Sequence, residues 1–325
     1  MPVTDPYPAL IADIGATNAR FAMARADGIG DTRVLTCRDY PDISSAIRTY
    51  LDDIGAPRPP RHAAIAIACP VAGDYVQMTN APWAFSIGTL QRELGLEHLA
   101  VVNDFVAVAL AVAHLGEADR RQVGGTRPEP DAPIGVLGPG TGLGVSSVVP
   151  TGTGWIALPG EGGHVTMPAA DDNEAAVLAA MRRRFPHVSA ERVLSGMGLV
   201  ELYTALCEVH GRPAEPRDPA GVTAAALDGS CPVSAAAVDM FCAMLGTVAG
   251  NLALTLGARG GVYVAGGIVP RLGEGFDRSA FRERFEAKGR MRGFLEAIPA
   301  FVVTHPYPAF VGLMSLFGPA HRAAG

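Results

Sequence analysis

A short glycine turn near the N-terminus combines bare backbone with side chains suited to phosphate chemistry. Residues 13–18 have the sequence DIGATN and follow an apolar run. A carboxylate such as Asp13 at the end of a buried strand suits a hydrated Mg²⁺ beside a polyphosphate, and the turn N–H groups with Thr17 and Asn18 can bind phosphate oxygens. An ordinary hairpin turn with an Asx motif explains the same residues equally well.

A second turn, over residues 138–144, has the sequence GPGTGLG. Its glycines stand at alternate positions: Gly138, Gly140, Gly142 and Gly144. The dinucleotide fingerprint fails here, because its last glycine would fall on Leu143 or Val145. Four glycines so close together, with the Thr141 hydroxyl, favour close approach of a phosphate over a plain hairpin.

Two further polar clusters, together with Glu191, are suited to a polyol. Asn103 and Asp104 stand where a buried strand meets an apolar helix, and Glu161 and His164 lie on a glycine-rich segment. Carboxylates, amides and a neutral imidazole can pair with adjacent hydroxyls. Each has an ordinary alternative, since Asp104 could cap a helix, His164 could be a satisfied structural residue, and Glu191 could be a solvated helix charge.

The elements that position these groups alternate along the chain. Apolar runs predict strands over residues 8–13, 19–24, 63–68, 99–102, 134–137, 145–149, 261–265 and 300–304. Periodic segments predict helices over residues 43–51, 87–94, 104–115, 174–184, 198–209, 233–256 and 309–322. Alternating strands and helices predict an α/β fold. The order strand, glycine turn, strand occurs twice, which predicts two related lobes with both turns on one cleft and a linker over residues 116–133.

The charge balance narrows the chemistry further. With 26 basic and 32 acidic residues the net charge is −6, which argues against nucleic-acid and membrane partners. Lys288 is the only lysine and does not follow a glycine turn, so Walker-type nucleotide binding is excluded. The charged stretch around Lys288 argues against the desolvation that a Schiff-base lysine needs.

Cysteine usage and apolar runs indicate the compartment. The cysteines are odd in number, include no Cys-x-x-Cys pair and therefore indicate neither structural zinc nor a redox pair: Cys37, Cys69, Cys207, Cys231 and Cys242. Scattered thiols and the lack of a signal-peptide pattern predict a cytoplasmic protein. Residues 240–258 are long enough to cross a membrane, but Asn251 and three glycines favour a buried helix.

The chain resembles the bacterial ATP-dependent glucokinase family. Matching segments occur in family order: IADIGATNARFA, IAIACPVAGD, MTNAPWAFS, VVNDFVAVA, GPGTGLGV, LPGEGGHV, HVSAERVLSG and GNLALTLGARGGVYVAGGIVPR. The resemblance implies an α/β, two-lobed hexokinase/actin-like ATPase fold with a central cleft, each lobe a mixed sheet flanked by helices. The expected small lobe is residues 1–115 plus 303–325, and the expected large lobe is residues 116–302. It also implies transfer of the ATP γ-phosphate to the 6-hydroxyl of glucose with ATP and Mg²⁺, in a cytoplasmic homodimer.

The resemblance also implies site residues, position by position. The implied ATP-binding positions are Ala12, Asp13, Ile14, Gly15, Ala16, Thr17, Asn18, Gly138, Gly140, Thr141, Gly142, Gly144, Gly266 and Gly267, with Asp13 toward Mg²⁺. The implied sugar-binding positions are Asn80, Asn103, Asp104, Glu161, His164 and Glu191, with Asp104 as the general base. One departure is Gly15-Ala16 where the family usually has two glycines. If that position needs positive φ, Ala16 strains the turn and weakens nucleotide binding.

Two other classes compete with a kinase. A catalytically silent sugar sensor on the same fold would need a DNA-binding extension, for which the first strand, near residue 9, leaves no room. An actin-like filament ATPase would keep the phosphate turns but has no use for polyol-binding residues such as Asn103 and Glu161. The polyol residues therefore favour the kinase.

Overall fold

Strands and helices alternate along the computed structural model, which describes residues 8–56, 59–78 and 83–317. Its strands are β1 Ala9–Ile14, β2 Asn18–Arg25, β3 Gly28–Thr36, β4 His62–Ile67, β5 Tyr75–Gln77, β6 Ala84–Ser86, β7 His98–Asn103, β8 Arg120–Gln122, β9 Ile134–Pro139, β10 Leu143–Pro150, β11 Trp155–Gly160, β12 Val262–Val264 and β13 Ala300–Val303. Its α-helices are α1 Ile43–Asp53, α2 Ile87–Glu93, α3 Asp104–Val112, α4 Asp172–Arg182, α5 Ala190–Val193, α6 Gly196–Val209, α7 Pro219–Leu227, α8 Pro232–Leu256, α9 Val269–Leu272, α10 Glu274–Asp277, α11 Phe281–Glu286, α12 Arg292–Ala297 and α13 Pro308–Ser315. The alternation confirms the α/β class.

The chain forms two compact units. The first comprises residues 1–115, 151–159 and 306–325, and the second comprises residues 116–150 and 160–305. In the first unit the strand order is β3-β2-β1-β4-β7. The β1–β2 and β2–β3 pairs are antiparallel, whereas β1, β4 and β7 run parallel. Parallel strands are usually covered on both faces, and this sheet has helices on both.

The side chains of strand β4 determine which helices pack on each face of the sheet. Its alternating Ala64 and Ala66 pack with α3 and α13, and its Ile65 and Ile67 face the opposite core cluster with α1. Successive strand side chains point to opposite faces, so one face carries small residues and the other large ones. The small face lets α3 and α13 approach the sheet closely. Helix α3, which begins at a candidate site residue, is thereby held firmly.

The second unit repeats this architecture. Its strands hydrogen-bond in the order β10-β9-β12-β13-β8. The β9–β10 pair is an antiparallel hairpin, and β9, β12 and β13 run parallel, as β1, β4 and β7 do. This topology supports the repeat of architecture expected from the two strand-turn-strand segments. The second unit begins at residue 116, where the predicted linker starts. Within that linker, residues 120–122 form β8, which pairs antiparallel with β13.

Helix α8 lies at the centre of the second unit. Among the described residues it alone is long and apolar enough to cross a membrane, yet 72% of its most apolar window is buried inside the protein. This burial confirms the predicted buried helix. Helix α11 crosses it closely, because Gly246 and Gly250 of α8 leave room for the backbone carbonyls of Phe281 and Phe285. Beyond that crossing, Lys288 donates a hydrogen bond from Nζ to the Thr247 carbonyl at 3.2 Å.

Candidate active site

The parallel strands of the first unit end in register at one edge of the sheet. Ile14 pairs with Ile67, and Ile67 pairs with Asn103. Asp13 therefore stands one residue before the end of β1, and Asp104 directly follows β7. In α/β sheets, ligands bind at the carboxyl ends of parallel strands. The topology thus brings both predicted carboxylates to the edge where a ligand is expected.

Asn103, and not Asp104, caps helix α3. The Asn103 side-chain oxygen accepts hydrogen bonds from the Phe105 and Val106 N–H groups at 2.9 and 3.3 Å, and its amide donates to the Cys69 carbonyl at 3.2 Å. Asp104 is the first helical residue, and its Oδ1 accepts the Phe105 N–H at 2.8 Å. The alternative that Asp104 serves as the N-cap is therefore wrong, because the preceding amide already fills that position.

Burial changes the proton affinity of both carboxylates. It raises the pKa of Asp104 to about 6, helped by the nearby charge of Asp13 and opposed by the hydrogen bond from Phe105. Burial also raises the pKa of Asp13, against the opposing charge of Arg20. A carboxylate with a pKa near 6 is still mostly ionised at neutral pH and is a stronger base than an ordinary aspartate.

The first turn joins β1 to β2 over Gly15, Ala16 and Thr17. The Gly15 N–H donates to the Asn18 carbonyl at 2.9 Å, so it closes the hairpin and is not directed at a ligand. Residues 16–18 are exposed and can meet a phosphate, whereas Ala12 and Ile14 on either side of Asp13 are fully buried in the core. Among the described non-glycine residues only Asp31 and Asp131 have positive φ, so the condition under which Ala16 would strain the turn is not met.

Arg20 belongs to this site although the sequence patterns did not single it out. It pairs with Asp13 across the β1–β2 hairpin, and its Nη1 lies 3.1 Å from Asp13 Oδ2. The predicted hairpin could have identified this pair, because Asp13 and Arg20 lie equally far from the centre of the turn and therefore stand opposite each other. Cross-strand partners on one face are close enough to form an ion pair.

The second turn is tighter than its glycine spacing suggests. Gly138 and Gly144 lie inside β9 and β10, where they pair with each other, so the turn itself is residues 140–142. The Gly140 N–H donates to the Gly142 carbonyl at 2.8 Å. Thr141 is exposed at the tip.

Gly266 and Gly267 follow β12 beside this second turn. The Ala265 N–H donates to the Leu137 carbonyl at 2.8 Å. Gly266 has φ +83°, and a Cβ there would overlap the backbone of Pro139. Only glycine satisfies both conditions. Gly267 is exposed, with open space where a side chain would stand.

Three polyol-type side chains come together in the second unit. His164 Nε2 lies 3.9 Å from Glu161 Oε2, and His164 Nδ1 lies 4.0 Å from Glu191 Oε1. These separations are too long for hydrogen bonds. The side chains of His164, Glu161 and Glu191 are 60%, 64% and 34% exposed, so their polar atoms can receive a ligand. The alternative of a satisfied structural histidine does not fit this exposure.

Glu191 is also bound to the second turn. It lies on the short helix α5, and its Oε2 accepts the Leu143 N–H at 2.9 Å. The alternative of a freely solvated helix charge is therefore wrong. Asn80, the remaining predicted sugar contact, lies outside the described residues.

The donor set near the first turn fits Mg²⁺ held mainly by a nucleotide. Within the described residues no group of three or more His, Cys, Asp or Glu side chains could hold a metal ion. Asp13 supplies a single carboxylate beside an exposed turn. Mg²⁺ typically keeps several waters and binds through one or two carboxylates plus substrate phosphates. Here Asp13 would supply the carboxylate, and a bound nucleotide would supply the phosphates.

Comparison with known proteins settles the family. A family model described as Glucokinase matches residues 10–318. The chain belongs to the glucokinase family. Glucokinase of Paramagnetospirillum magneticum is 53% identical over 309 residues, covering 94% of this chain and 96% of the relative. Glucokinase of Neisseria meningitidis serogroup C is 51% identical over 307 residues, covering 94% and 93%.

Solved structures share the fold of this glucokinase-family chain. The crystal structure of a glucokinase from an Antarctic psychrotroph has a TM-score of 0.88 and 35% identity, covering 95% of this chain and 98% of that one. A ROK family glucokinase from Streptomyces griseus, solved with glucose and AMPPNP, has a TM-score of 0.63 and 17% identity, covering 95% and 98%. These similarities confirm the predicted α/β fold of two lobes with mixed sheets.

Proposed function

We propose that this glucokinase-family chain transfers the γ-phosphate of ATP to the 6-hydroxyl of D-glucose, with Asp104 as the general base. The observation that carries the proposal is Asp104 itself. It stands at the carboxyl end of β7 on a helix that Asn103 already caps, and its pKa is raised to about 6 by burial and by Asp13. A carboxylate that is not required as a cap and is tuned toward neutral pH is suited to proton transfer.

In the proposed reaction the Asp104 carboxylate accepts the proton of the 6-hydroxyl as that oxygen attacks the γ-phosphorus. The new O–P bond forms while the bond from the γ-phosphorus to the bridging oxygen breaks, which gives glucose 6-phosphate and ADP. Phosphoryl transfer depends mainly on positioning and charge stabilisation, so the protein needs to supply only one well-placed base for proton transfer. The hydrogen bond from Phe105 to Asp104 Oδ1 fixes the direction of the accepting group.

Glu161, His164 and Glu191 are proposed to bind the ring-side hydroxyls, and Asn103 to bind beside the base. The side chains of Glu161 and His164 are exposed, and Glu191 directs its Oε1 toward His164, which supports this role. A sugar epimer that cannot pair with one of them leaves a polar group unsatisfied, at a cost of about 1–3 kcal/mol.

The two glycine turns are proposed to bind the ATP phosphates through backbone N–H groups of their exposed residues and through the hydroxyls of Thr17 and Thr141. Gly266 and Gly267 are proposed to border the adenosine. Asp13 would hold the hydrated Mg²⁺, and Arg20 would keep the charge of Asp13 balanced before ATP binds. When bound with ATP, Mg²⁺ neutralises charge on the phosphates.

We also propose a cytoplasmic homodimer. All five cysteines are free thiols, four of them buried, which suits a reducing compartment. The dimer rests on the family resemblance, and light scattering of the purified protein at several concentrations tests it.

A coupled assay with ATP and Mg²⁺ across glucose, mannose, fructose and N-acetylglucosamine tests the function. We expect glucose to be phosphorylated with a kcat/KM at least about tenfold above that of mannose, its 2-epimer, because tenfold corresponds to about 1.4 kcal/mol. Equal constants for the two epimers would contradict the sugar-binding roles of Glu161, His164 and Glu191. Absence of phosphorylation of every hexose would contradict the function as a whole.

A further inference from the structure

We propose that Glu191 couples sugar binding to the second phosphate turn, so that glucose and ATP strengthen each other's binding through one side chain. The inference rests on the proposed function and adds a route to it. Glu191 has two carboxylate oxygens with different surroundings. Oε2 accepts the Leu143 N–H at 2.9 Å, and Oε1 faces His164 in the sugar-binding cluster.

Gly142 makes room for this arrangement. A Cβ at Gly142 would overlap Glu191 Oε2, so the carboxylate reaches Leu143 only because residue 142 has no side chain. Neither Gly142 nor Gly140 has positive φ, and a Cβ at Gly140 would meet nothing within 4 Å. Residue 142 must therefore be glycine because of the neighbouring Glu191 carboxylate, and not because of its backbone conformation.

The segment that carries Glu191 also holds the other side of the turn. The N–H of Gly196, at the start of α6, donates to the Gly140 carbonyl at 2.8 Å. Residues 191–196 therefore contact both ends of the 140–142 turn. A sugar that holds Glu191 through Oε1 therefore also holds Oε2 against the Leu143 N–H, and with it the turn.

The sugar-side loop packs on the same strand. A Cβ at Gly163 would overlap the Leu143 carbonyl, and Glu161 forms a parallel bridge with Val145 of β10. Leu143 thus lies between Glu191, which takes its N–H, and the loop that carries Glu161 and His164. A sugar that orders this cluster also orders the turn, so a nucleotide that binds second has less ordering left to do.

Calorimetry measures the coupling directly. The affinity for a non-hydrolysable ATP analogue is determined with and without saturating glucose, and the ratio of the two dissociation constants is the coupling factor. Linkage requires that the analogue change glucose affinity by the same factor. We expect a wild-type factor of at least about 5, within the usual range for coupled sites.

Two pairs of variants isolate the route. Gly142→Ala removes no sugar-binding side chain but displaces Glu191 Oε2 from Leu143, so the coupling factor should fall to below about 2. The matched Gly140→Ala adds a Cβ that meets nothing within 4 Å and should keep the wild-type coupling factor. Glu191→Ala should also lose the coupling factor. Its control, Glu161→Ala, should weaken glucose binding but keep the wild-type coupling factor.

Three results would overturn the inference. The first is a coupling factor of one in the wild-type protein, and the second is an unchanged coupling factor in Gly142→Ala or Glu191→Ala. The third is a control, Gly140→Ala or Glu161→Ala, that loses as much coupling as the variant it is paired with. Wild-type turnover is measured in parallel. If the wild-type protein phosphorylates glucose but the variants have the same coupling factor as the wild type, only the proposed coupling route fails. If no glucose is phosphorylated, the proposed function fails and the inference fails with it.

Discussion

Asp104 is the residue on which the proposed chemistry depends. We expect Asp104→Asn to lower kcat by about 10²–10⁴-fold, the usual contribution of a general base. Glucose affinity should stay within roughly tenfold, because an amide still pairs with the 6-hydroxyl. The structure sharpens this test, since Asn103 retains the cap of α3 and the variant should not unravel the helix. Steady-state kinetics with calorimetry measures both quantities, and a variant with more than about a tenth of wild-type turnover would contradict the base.

The same substitution should alter stability with a defined sign. Burial raises the folded-state pKa of Asp104 from 3.8 to about 6, so the folded protein binds a proton that the unfolded chain releases between these values. The stabilisation is fully present below pH 4 and is lost as the pH rises through 6. Relative to wild type, Asp104→Asn should therefore gain roughly 1–3 kcal/mol of unfolding free energy between pH 4 and pH 7.5.

Denaturant unfolding at both pH values tests this prediction, and Asp228→Asn is a control that should show almost no pH dependence. Hydrogen bonds from Ser230 lower the pKa of Asp228 below 3.8, so this carboxyl titrates below the tested range, and the difference in stability between Asp228→Asn and wild type should be nearly the same at both pH values. Parallel curves for Asp104→Asn and wild type would show that Asp104 titrates alike in the folded and unfolded chain.

Ala16 gives a third prediction at the residue scale. Because Ala16 does not have positive φ, Ala16→Gly relieves no strain, and ATP affinity should remain within about twofold of wild type. The added backbone freedom of the unfolded chain should cost about 0.4–1 kcal/mol of stability. Calorimetry with ATP and thermal unfolding measure the two effects, and tighter ATP binding by more than about fivefold would show that alanine restricts the turn.

Residue types indicated which groups could act, but not all of their partners. Asp13 and Asp104 could be predicted because each stands at the end of an apolar run. The bond from Leu143 to Glu191 joins residues 48 positions apart through a backbone N–H, and backbone donors have no sequence signature. Ala16 shows the converse, because a missing family glycine indicated strain that the backbone of this turn does not have.

At the scale of elements, the crossing of α13 over α3 holds the helix that begins at Asp104. A Cβ at Gly312 of α13 would overlap the Ala107 carbonyl of α3. Gly312→Ala should therefore destabilise the protein by about 1–3 kcal/mol, the usual cost of overpacking, despite the better helix propensity of alanine.

The matched control for this crossing is Gly293→Ala in α12, where an added Cβ would meet nothing within 4 Å. We expect the control to be neutral or slightly stabilising, by up to about 1 kcal/mol. Urea unfolding of both variants decides the matter. Equal effects at the two positions would mean that α13 can shift away from α3 at little cost.

Elements were predictable where one periodicity dominated. Strand β4 is apolar on both faces and lies between two parallel neighbours, so its burial follows from composition. Strand β8 could not be predicted, because Arg120, Arg121 and Gln122 carry no apolar alternation. Its partner is β13, whose paired residues lie 179 to 183 positions away in the chain and therefore cannot be found from a local pattern.

At the scale of the molecule, the repeated topology was the most predictable feature. An antiparallel hairpin followed by two parallel strands occurs as β1, β2, β4 and β7 and again as β9, β10, β12 and β13. The hairpins were visible in the sequence because glycine turns separate apolar runs. The strand order was not, since parallel pairing joins segments separated by long crossovers.

The single lysine described beside α8 has a consequence for measuring how the second unit opens. A lysine-specific protease can cut these 325 residues at one peptide bond only, after Lys288. In the folded protein the Lys288 ammonium is partly buried and bonded to the Thr247 carbonyl, so the bond should resist cleavage until the contacts of α8 with α11 break. A brief pulse of that protease across a urea series should therefore divide the chain into two fragments with a midpoint equal to that of global unfolding. Cleavage well below that midpoint would reveal that the region around α11 opens as a separate cooperative segment.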